Sequence, residues 1–354
     1  MSAERRRAQT QLGDEGLLEV LTVMDELARG DGRCVLGDIA TAHLSTGGKR
    51  MRARLALAAT EALGAERRRA VPWAAAVELV HNASLIHDDL EDGDEKRRGR
   101  PTVWVRHGAA QAINAGDLLL ALPYRAAVRT EAADAVRWRL CESLAHAVER
   151  MARGQSAELE MLERLSRTAR LEREYLQCAR DKTGALFAAT VEGAALLAGR
   201  SPADASELSE ALLPFGVLFQ LQDDVLDLFG DKGRGRRGND LREGKVSALV
   251  VEHLRLHPDE RSWLCGLLSA PRACTSDEAV DEAIARFEHG GALERCLGRM
   301  GAIAEELVGR AARLAPPAFA ALTAEIVGVV LSPIQGCFNS SVTVVSTPRL
   351  EARS

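Results

Sequence analysis

Apolar positions recur at helical spacing along most of this 354-residue chain, and strand-like alternation of Val, Ile and Thr is scarce. A first amphipathic segment runs from about Asp14 to Leu27, and residues 46–54 open an Ala/Leu helix that continues to about Leu63. Pro72 suits the first turn of the next helix, whose apolar run ends in Asp88, Asp89 and Asp92. Gly116-Asp117 opens a helix from Leu118 to Tyr124, and further helical segments fit 131–152, 155–168, 171–180, 185–198 and 203–229. Residues 1–13 read as a disordered N-terminus and residues 336–354 as a loose Ser/Thr-containing tail.

Composition adds a few exclusions. The chain is 46% hydrophobic but only 4% aromatic, which suits a mostly helical protein with a large Ala/Leu core. A net charge of −5 makes nucleic acid an unsuitable partner while leaving local basic loops free to bind phosphates. The seven cysteines are odd in number and show no CxxC spacing, so they read as ordinary thiols in a reducing compartment. The first residues lack an apolar signal core, and no stretch approaches about 18 uninterrupted apolar residues. A cytoplasmic protein with no stable membrane insertion is the expectation.

The candidate chemistry begins at the end of the third helix. Each helical residue advances about 100°, so Asp88 and Asp92 share a face with Asp89 beside them. Carboxylates so placed repel by roughly 0.2–0.5 kcal/mol per pair, unless a cation collects them. An all-oxygen donor set suits Mg²⁺, which takes one or two carboxylates and completes its shell with water and phosphate; an acidic solvated helix end is the alternative. His81 lies on the same stripe two turns earlier, and a core or surface role would serve it and His87 equally well. Upstream, Gly47-Gly48-Lys49-Arg50 precedes a helix whose free N–H groups favour an anion, with Lys49 and Arg52 on one face. The stretch lacks P-loop spacing, and alone it reads more readily as a flexible turn before a solvated helix. Asp181-Lys182-Thr183-Gly184 sets a cation beside a hydroxyl at a helix junction, where a plain turn is again the alternative.

The second half repeats the first cluster. Asp223, Asp224 and Asp227 have the same i, i+1, i+4 spacing at the end of an apolar helix, followed by a Gly- and Arg-rich loop to Lys245. Two such clusters are hard to explain as solvated faces. They suit a substrate that leaves as diphosphate, with Mg²⁺ and basic side chains neutralising the leaving group. An apolar helical core beneath would hold a hydrocarbon chain and exclude water.

Taken together, GGKRMR at 47–52, DDLED at 88–92 with RRG at 97–99, KTG at 182–184, FQLQDDVLD at 219–227 and GNDLREGK at 238–245 resemble the trans-isoprenyl diphosphate synthases of the polyprenyl synthetase family. The likeness covers roughly residues 14–330 and leans toward geranylgeranyl diphosphate synthases. It implies a single all-α domain over 14–335, a bundle of long antiparallel helices around a central apolar cavity (the isoprenoid synthase fold). The two aspartate motifs would face each other across its mouth, and a homodimer is expected. The implied reaction joins isopentenyl diphosphate to an allylic diphosphate, with released pyrophosphate taking the proton. Asp88, Asp89, Asp92, Asp223 and Asp224, supported by Asp227, would hold Mg²⁺. Arg97, Lys182 and Lys245 would clamp the allylic diphosphate, and Lys49, Arg52, His81 and Arg98 that of isopentenyl diphosphate. Thr183 and Gln220 would turn oxygen dipoles toward the allylic cation.

The chain departs from the family pattern at Ala53, where Pro is usual, and before GNDL, where Arg234-Gly235 replaces a Gly-Lys pair. Arg234, Arg236 or Lys232 is then the candidate for the missing charge, although Lys and Arg differ in geometry. A class I terpene cyclase and a non-catalytic synthase subunit are the competing readings. The first has no use for a second diphosphate site, and the second none for two intact aspartate triads.

Product length follows from the stripe below Asp88. Ala83 and Ser84 are small, so a chain passes one turn down, where about 5.4 Å of helix matches one prenyl unit. The resemblance then implies a product longer than C15, geranylgeranyl diphosphate (C20) or a longer polyprenyl diphosphate. Ser84→Phe should shorten the product, read by sizing the dephosphorylated alcohols; an unchanged distribution would refute this account of the pocket.

Overall fold

Helices make up nearly all regular structure in the computed structural model, which describes residues 12–32, 34–165, 170–230 and 237–337. In chain order, the first are α1 (Leu17–Arg29), α2 (Val35–Leu44), α3 (Met51–Ala62), α4 (Val71–Glu91), α5 (Val103–His107) and α6 (Ala109–Ala127). Next come α7 (Asp134–Leu159), α8 (Met161–Leu165), α9 (Leu171–Ala179), α10 (Ala185–Leu197), α11 (Pro202–Phe229) and α12 (Asn239–Arg242). The last are α13 (Ala248–Leu256), α14 (Arg261–Leu268), α15 (Asp277–His289), α16 (Ala292–Leu314) and α17 (Pro317–Leu331). Among the described residues, the β structure is one ribbon, β1 (Lys96–Arg97) and β2 (Arg100–Pro101). The all-α expectation holds.

The helix boundaries differ from the sequence reading in instructive places. Helix α2 carries no strong amphipathic signature, and its N-cap is Cys34, whose sulfur accepts the Gly37 N–H at 3.2 Å. Helix α6 begins seven residues before Gly116, which sits inside the helix instead of opening it. The His87 ring occupies the space where a Gly116 Cβ would stand, so this glycine serves packing and not a turn. Helix α7 runs unbroken through 152–155, and the segment read as 155–168 is its end plus α8. Residues 1–11, the tail from 338 and the loop with Lys232, Arg234 and Arg236 lie outside the described residues.

The chain divides into two compact units. The first comprises Met1–Glu149, Leu186–Glu210 and Leu314–Leu322. Its centre is α4, which packs against α1, α3 and α6 and buries Trp73 through Val80 without interruption. A helix apolar on nearly all sides has to be enclosed, and the Ala74-Ala75-Ala76 run keeps its neighbours close. Trp73 donates its indole N–H to the Thr190 carbonyl at 3.0 Å.

The second unit comprises Arg150–Ala185, Ala211–Arg313 and Thr323–Ser354. Here α13 packs on α9 and α15, and its buried Glu252 accepts from Arg295 at 2.8 Å and Arg299 at 2.7 Å. Burial pushes the Glu252 carboxyl upward, but the hydrogen bonds from Arg295 and Arg299 outweigh it and leave the pKa below its ordinary value. Glu172 on α9 joins the network through Arg255 at 2.7 Å, so α9, α13 and α16 share one set of charges. One helical run among the described residues, Pro317–Cys337, is long and apolar enough by composition to cross a membrane. Phe319, Leu322, Ile326, Val327 and Val330 on it are buried within the protein.

The first unit yields a stability test. An Ala Cβ at Gly193 would stand 2.1 Å from the Trp73 ring. Ala gains about 1 kcal/mol of helix propensity over Gly, but displacing a buried indole exceeds that gain. Gly193→Ala should lower stability by roughly 1–2 kcal/mol net, read by thermal unfolding with a shift in tryptophan emission. An equal or higher melting temperature would show that the ring moves freely.

Candidate active site

In the first unit the site is built on the end of α4. Asp88 and Asp92 are partly exposed, whereas Asp89, one residue round the helix, is only 2% exposed. Arg97 meets it, placing Nε at 2.7 Å and Nη2 at 2.6 Å from the same oxygen, Oδ1. The other oxygen, Oδ2, is buried without a hydrogen-bond partner. Burial raises the Asp89 pKa, Arg97 opposes it, and the net shift is upward.

The ribbon that delivers Arg97 turns through Arg98 (φ +53°) and Gly99 (φ +76°). Two central residues at positive φ define a type I′ hairpin, whose twist matches its strands. Thr102 Oγ1 and Trp104 Nε1 each donate to the Asp94 carbonyl at 2.9 Å, anchoring the base of the ribbon. Arg97 therefore returns to Asp89 while Arg98 reaches the other way. It donates to the Gly47 carbonyl and lies 3.4 Å from Thr46 Oγ1. Gly48 (φ +125°) leaves room for that guanidinium, since a Cβ there would come within 2.5 Å of it.

Arg50, at φ +49° just before α3, is buried beneath this loop. Its Nη1 donates at 3.2 Å to both Glu78 Oε1 and Asn82 Oδ1, and Nη2 donates to the Leu44 carbonyl. Glu78 Oε2 accepts the Ala53 N–H at 3.3 Å, so the residue that departs from the family proline uses the very donor proline lacks. Arg52 is 9% exposed and stacks 4.3 Å above the Phe187 ring. Burial lowers its pKa to about 10 against the pull of Glu78, and its Nε has no hydrogen-bond partner.

Two histidines share this surrounding. Burial, and then the charges of Arg52, Arg97, Arg98 and Arg50, hold His81 well below the ordinary histidine value. Burial and Arg97, Arg98 and Arg50 bring His43 down to about 3, and its Nε2 has no partner. The structure thus brings Arg52, His81, Arg97 and Arg98 together with Arg50 and His43. Lys49 is exposed, and its carbonyl accepts from Arg54 at 2.9 Å. Neutral imidazoles among guanidiniums, with a buried guanidinium N–H unfilled, make a site for a multiply charged anion.

In the second unit, a π-helical turn over Arg180–Gly184 joins α9 to α10, a feature frequent at functional sites. A Cβ on Gly216 of α11 would stand 2.2 Å from Gly184, so only a glycine pair permits this approach. One turn along, Thr183 Oγ1 donates to Gln220 Oε1 at 3.4 Å, and Gln220 Nε2 donates to Asp224 Oδ1 at 2.9 Å. Asp224 is 3% exposed, and its Oδ2 accepts from Tyr175 Oη and from the Ala248 N–H, both at 2.6 Å. Asp227 is buried too, accepting the Asp240 N–H at 3.1 Å, while Asp223 stays partly exposed. Lys182 pairs with Glu158, and Lys245 lies 3.1 Å from Glu243. Glu158, Tyr175, Lys182, Gln220 and Val246 line one small hollow. Sequence reasoning passed over Tyr175 and Glu158; the sign available was that Tyr175 is one of only two tyrosines in the chain.

The donors present fit Mg²⁺. Among the described residues no three carboxylate, imidazole or thiol groups converge closely enough to hold a metal by themselves. That is the ordinary situation for Mg²⁺, whose shell draws on water and substrate phosphate. The orphaned Asp89 Oδ2, beside partly exposed Asp88 and Asp92, is a hard oxygen with a coordination need unmet by the protein.

Known proteins resemble this chain along most of its length. Residues 34–287 match the family model described as polyprenyl synthetase. The chain is similar to a short chain isoprenyl diphosphate synthase of Methanothermobacter thermautotrophicus, 36% identical over 292 residues that cover 78% of this chain and 86% of the relative. Among solved structures it is similar to geranylgeranyl pyrophosphate synthetase from Pyrococcus horikoshii, with 28% identity, TM-score 0.81 and coverage of 93% and 99%. It is also similar to polyprenyl synthase from Caulobacter crescentus complexed with calcium and isoprenyl diphosphate, with 28% identity, TM-score 0.79 and coverage of 94% and 98%.

The basic cluster sets a pH dependence. With His43 held at about 3 against an ordinary 6.5, the unfolded chain takes up a proton between those values that the folded chain refuses. The stability linked to this group is whole above pH 6.5 and is lost as the pH falls toward 3. His43→Gln should flatten that acid decline by up to about 1.4 kcal/mol per pH unit. Denaturant titrations of wild type and variant between about pH 7 and pH 4 measure it; parallel curves would clear His43 of the effect.

Proposed function

The chain belongs to the polyprenyl synthetase family, and on that premise we propose that its product is geranylgeranyl diphosphate, built by head-to-tail addition of isopentenyl diphosphate to an allylic diphosphate. It is an all-α protein with the isoprenoid synthase fold and a trans-prenyltransferase. One observation supports this reading over a cyclase: Arg52, with its unfilled Nε, lies among Arg50, Arg98 and a neutral His81. That cluster is a diphosphate site distinct in composition from the aspartate clusters, and only a two-substrate reaction needs it.

In the proposed mechanism Arg52, Arg98, His81 and Lys49 bind the diphosphate of isopentenyl diphosphate and so fix its double bond. His81, being neutral, donates without adding charge. Arg97, Lys182 and Lys245 take the allylic diphosphate, exchanging their present partners Asp89, Glu158 and Glu243 for its oxygens. Thr183 and Gln220 present oxygen dipoles where positive charge develops on the allylic carbon. Mg²⁺ held by Asp88, Asp89, Asp92 and Asp223 would supply Lewis-acid neutralisation of the departing diphosphate. Asp224 and Asp227 belong to the same motif, but their hydrogen bonds to Tyr175, Gln220, Ala248 and Asp240 make them the frame around Asp223. The released pyrophosphate takes the proton, so no side chain is assigned as base.

The C20 assignment rests on α4. Ala83 is fully buried, and Ser84, small and partly exposed, donates to the His81 carbonyl at 2.9 Å. No aromatic side chain stands at Ala83 or Ser84, one turn below Asp88. We also propose a cytoplasmic homodimer over a synthase domain of residues 14–335. Trp138 on α7, 74% exposed, and Ile113 on α6 offer apolar surface for a second copy.

The deciding assay supplies Mg²⁺, labelled isopentenyl diphosphate and each of the C5, C10 and C15 allylic diphosphates, then sizes the dephosphorylated products. A C20 alcohol is expected; a longer ladder keeps the chemistry and deepens the pocket, and a cyclic hydrocarbon without label overturns the reading. Arg52→Met should raise KM for isopentenyl diphosphate roughly 10–100-fold, the worth of about 1.5–3 kcal/mol in charged hydrogen bonds. Its stability should not fall, because the arginine removed is buried with a donor unfilled.

A further inference from the structure

The buried hydroxyl of Tyr175 begins a hydrogen-bonded chain that runs through Asp224 and Gln220 to Thr183. We propose that Tyr175 is a positioning residue for prenyl transfer, acting through Asp224 to set which end of the Gln220 amide faces the substrate. The inference rests on the prenyl-transfer reading above and gives Tyr175, there only part of the frame around Asp223, a role toward the Gln220 amide.

Three elements meet at Asp224: α9 brings Tyr175, α11 brings Gln220, and the first residue of α13 brings the Ala248 N–H. Tyr175 Oη and Ala248 N both lie 2.6 Å from Oδ2, and two donors on one carboxylate oxygen fix the rotation of the whole group. Oδ1 is thereby presented to Gln220 Nε2 at 2.9 Å. An amide has two unlike ends. With Nε2 committed to Asp224, Oε1 must face the other way, where it accepts from Thr183 at 3.4 Å. Without the hydroxyl the carboxylate can swing off Gln220 and release Nε2, and the freed amide can flip and bring N–H groups, the positive end of the dipole, toward a carbon that is becoming positive. The Tyr175 hydroxyl therefore governs the sign of an electrostatic contribution several bonds away. The ring alone cannot do this, which separates the proposal from simple core packing.

The test uses the full chain with Mg²⁺, isopentenyl diphosphate and the C15 allylic diphosphate, in a double-mutant cycle. Tyr175→Phe keeps the ring and removes the hydroxyl; it should lower kcat about tenfold while KM for isopentenyl diphosphate stays within about twofold. Gln220→Leu removes the amide, and adding Tyr175→Phe to it should cost nothing more in kcat, because the two act in series. Ala248→Pro tests the same point from the other donor. Pro is favoured at the first helical position and lacks the N–H in question, and Ser247 at φ −79°, ψ 169° already has the backbone Pro requires before it. It should also lower kcat, and again not in the Gln220→Leu background. Independent, multiplicative losses, or a loss confined to KM or melting temperature, overturn the inference while leaving the enzyme's activity established. Absence of turnover in the wild type overturns the prenyl-transfer reading and the inference with it.

Discussion

A carboxylate turned into the protein must be met by donors, and both aspartate clusters hang on one such group. Successive helical residues differ by about 100°. A helix that leaves Asp88 or Asp223 partly exposed therefore swings the next residue toward the interior. Left unpaired there, a carboxylate costs several kcal/mol. Asp89 is met by Arg97, which the tight turn at Arg98-Gly99 carries back over the end of α4. Asp224 is met by a phenol, an amide and a backbone N–H. The ribbon in one unit thus follows from meeting Asp89 Oδ1, and the seating of α13 in the other from meeting both oxygens of Asp224. The two solutions differ in kind. Arg97 is a charged partner that an incoming phosphate can win away, whereas the neutral donors of Asp224 have no reason to leave. The first cluster is adaptable and the second is a fixed frame.

The basic half of the site obeys the same constraint with the signs reversed. Arg50 is buried and spends its donors on Glu78, Asn82 and the Leu44 carbonyl, so it shapes the Gly47-Gly48 loop without offering a free N–H there. Arg52 is nearly as buried but has only the face of Phe187 and an unfilled Nε. The two arginines stand two residues apart in GGKRMR, yet one is structure and the other is available to a ligand. Surrounding them with imidazoles held neutral at ordinary pH avoids adding repulsion to an already positive site.

Much of this was legible in the sequence, because helical periodicity and the i, i+1, i+4 aspartate spacing are properties of single helices. Which aspartate turns inward was not, since a periodic pattern says that Asp89 differs from Asp88 but not which of them meets an arginine. Arg50 was hidden by its equally charged neighbours, although Glu78 in the middle of an otherwise apolar helix was a sign that a buried cation had to exist. His43 and Tyr175 lie outside every motif and acquire meaning through partners distant in sequence, Arg97 and Asn82 for the first and Asp224 for the second. Gly116 misled for a related reason. Glycine punctuates helices by its backbone, but here its use is the absence of a side chain beneath the His87 ring, which only the packing of α4 on α6 reveals.

The three cations assigned to the allylic diphosphate share one more property: each already carries a carboxylate, Arg97 with Asp89, Lys182 with Glu158 and Lys245 with Glu243. Pre-pairing keeps partly buried cations from standing alone before substrate arrives. It also changes what binding rewards. A ligand must displace an existing partner, so the gain is the difference between its charge and that of one carboxylate. A monoanion gains almost nothing by the exchange, whereas a diphosphate, with several charges and more acceptor oxygens, gains at each cation it captures. On the proposed assignment, the carboxylates already in place would favour a diphosphate over singly charged prenyl compounds.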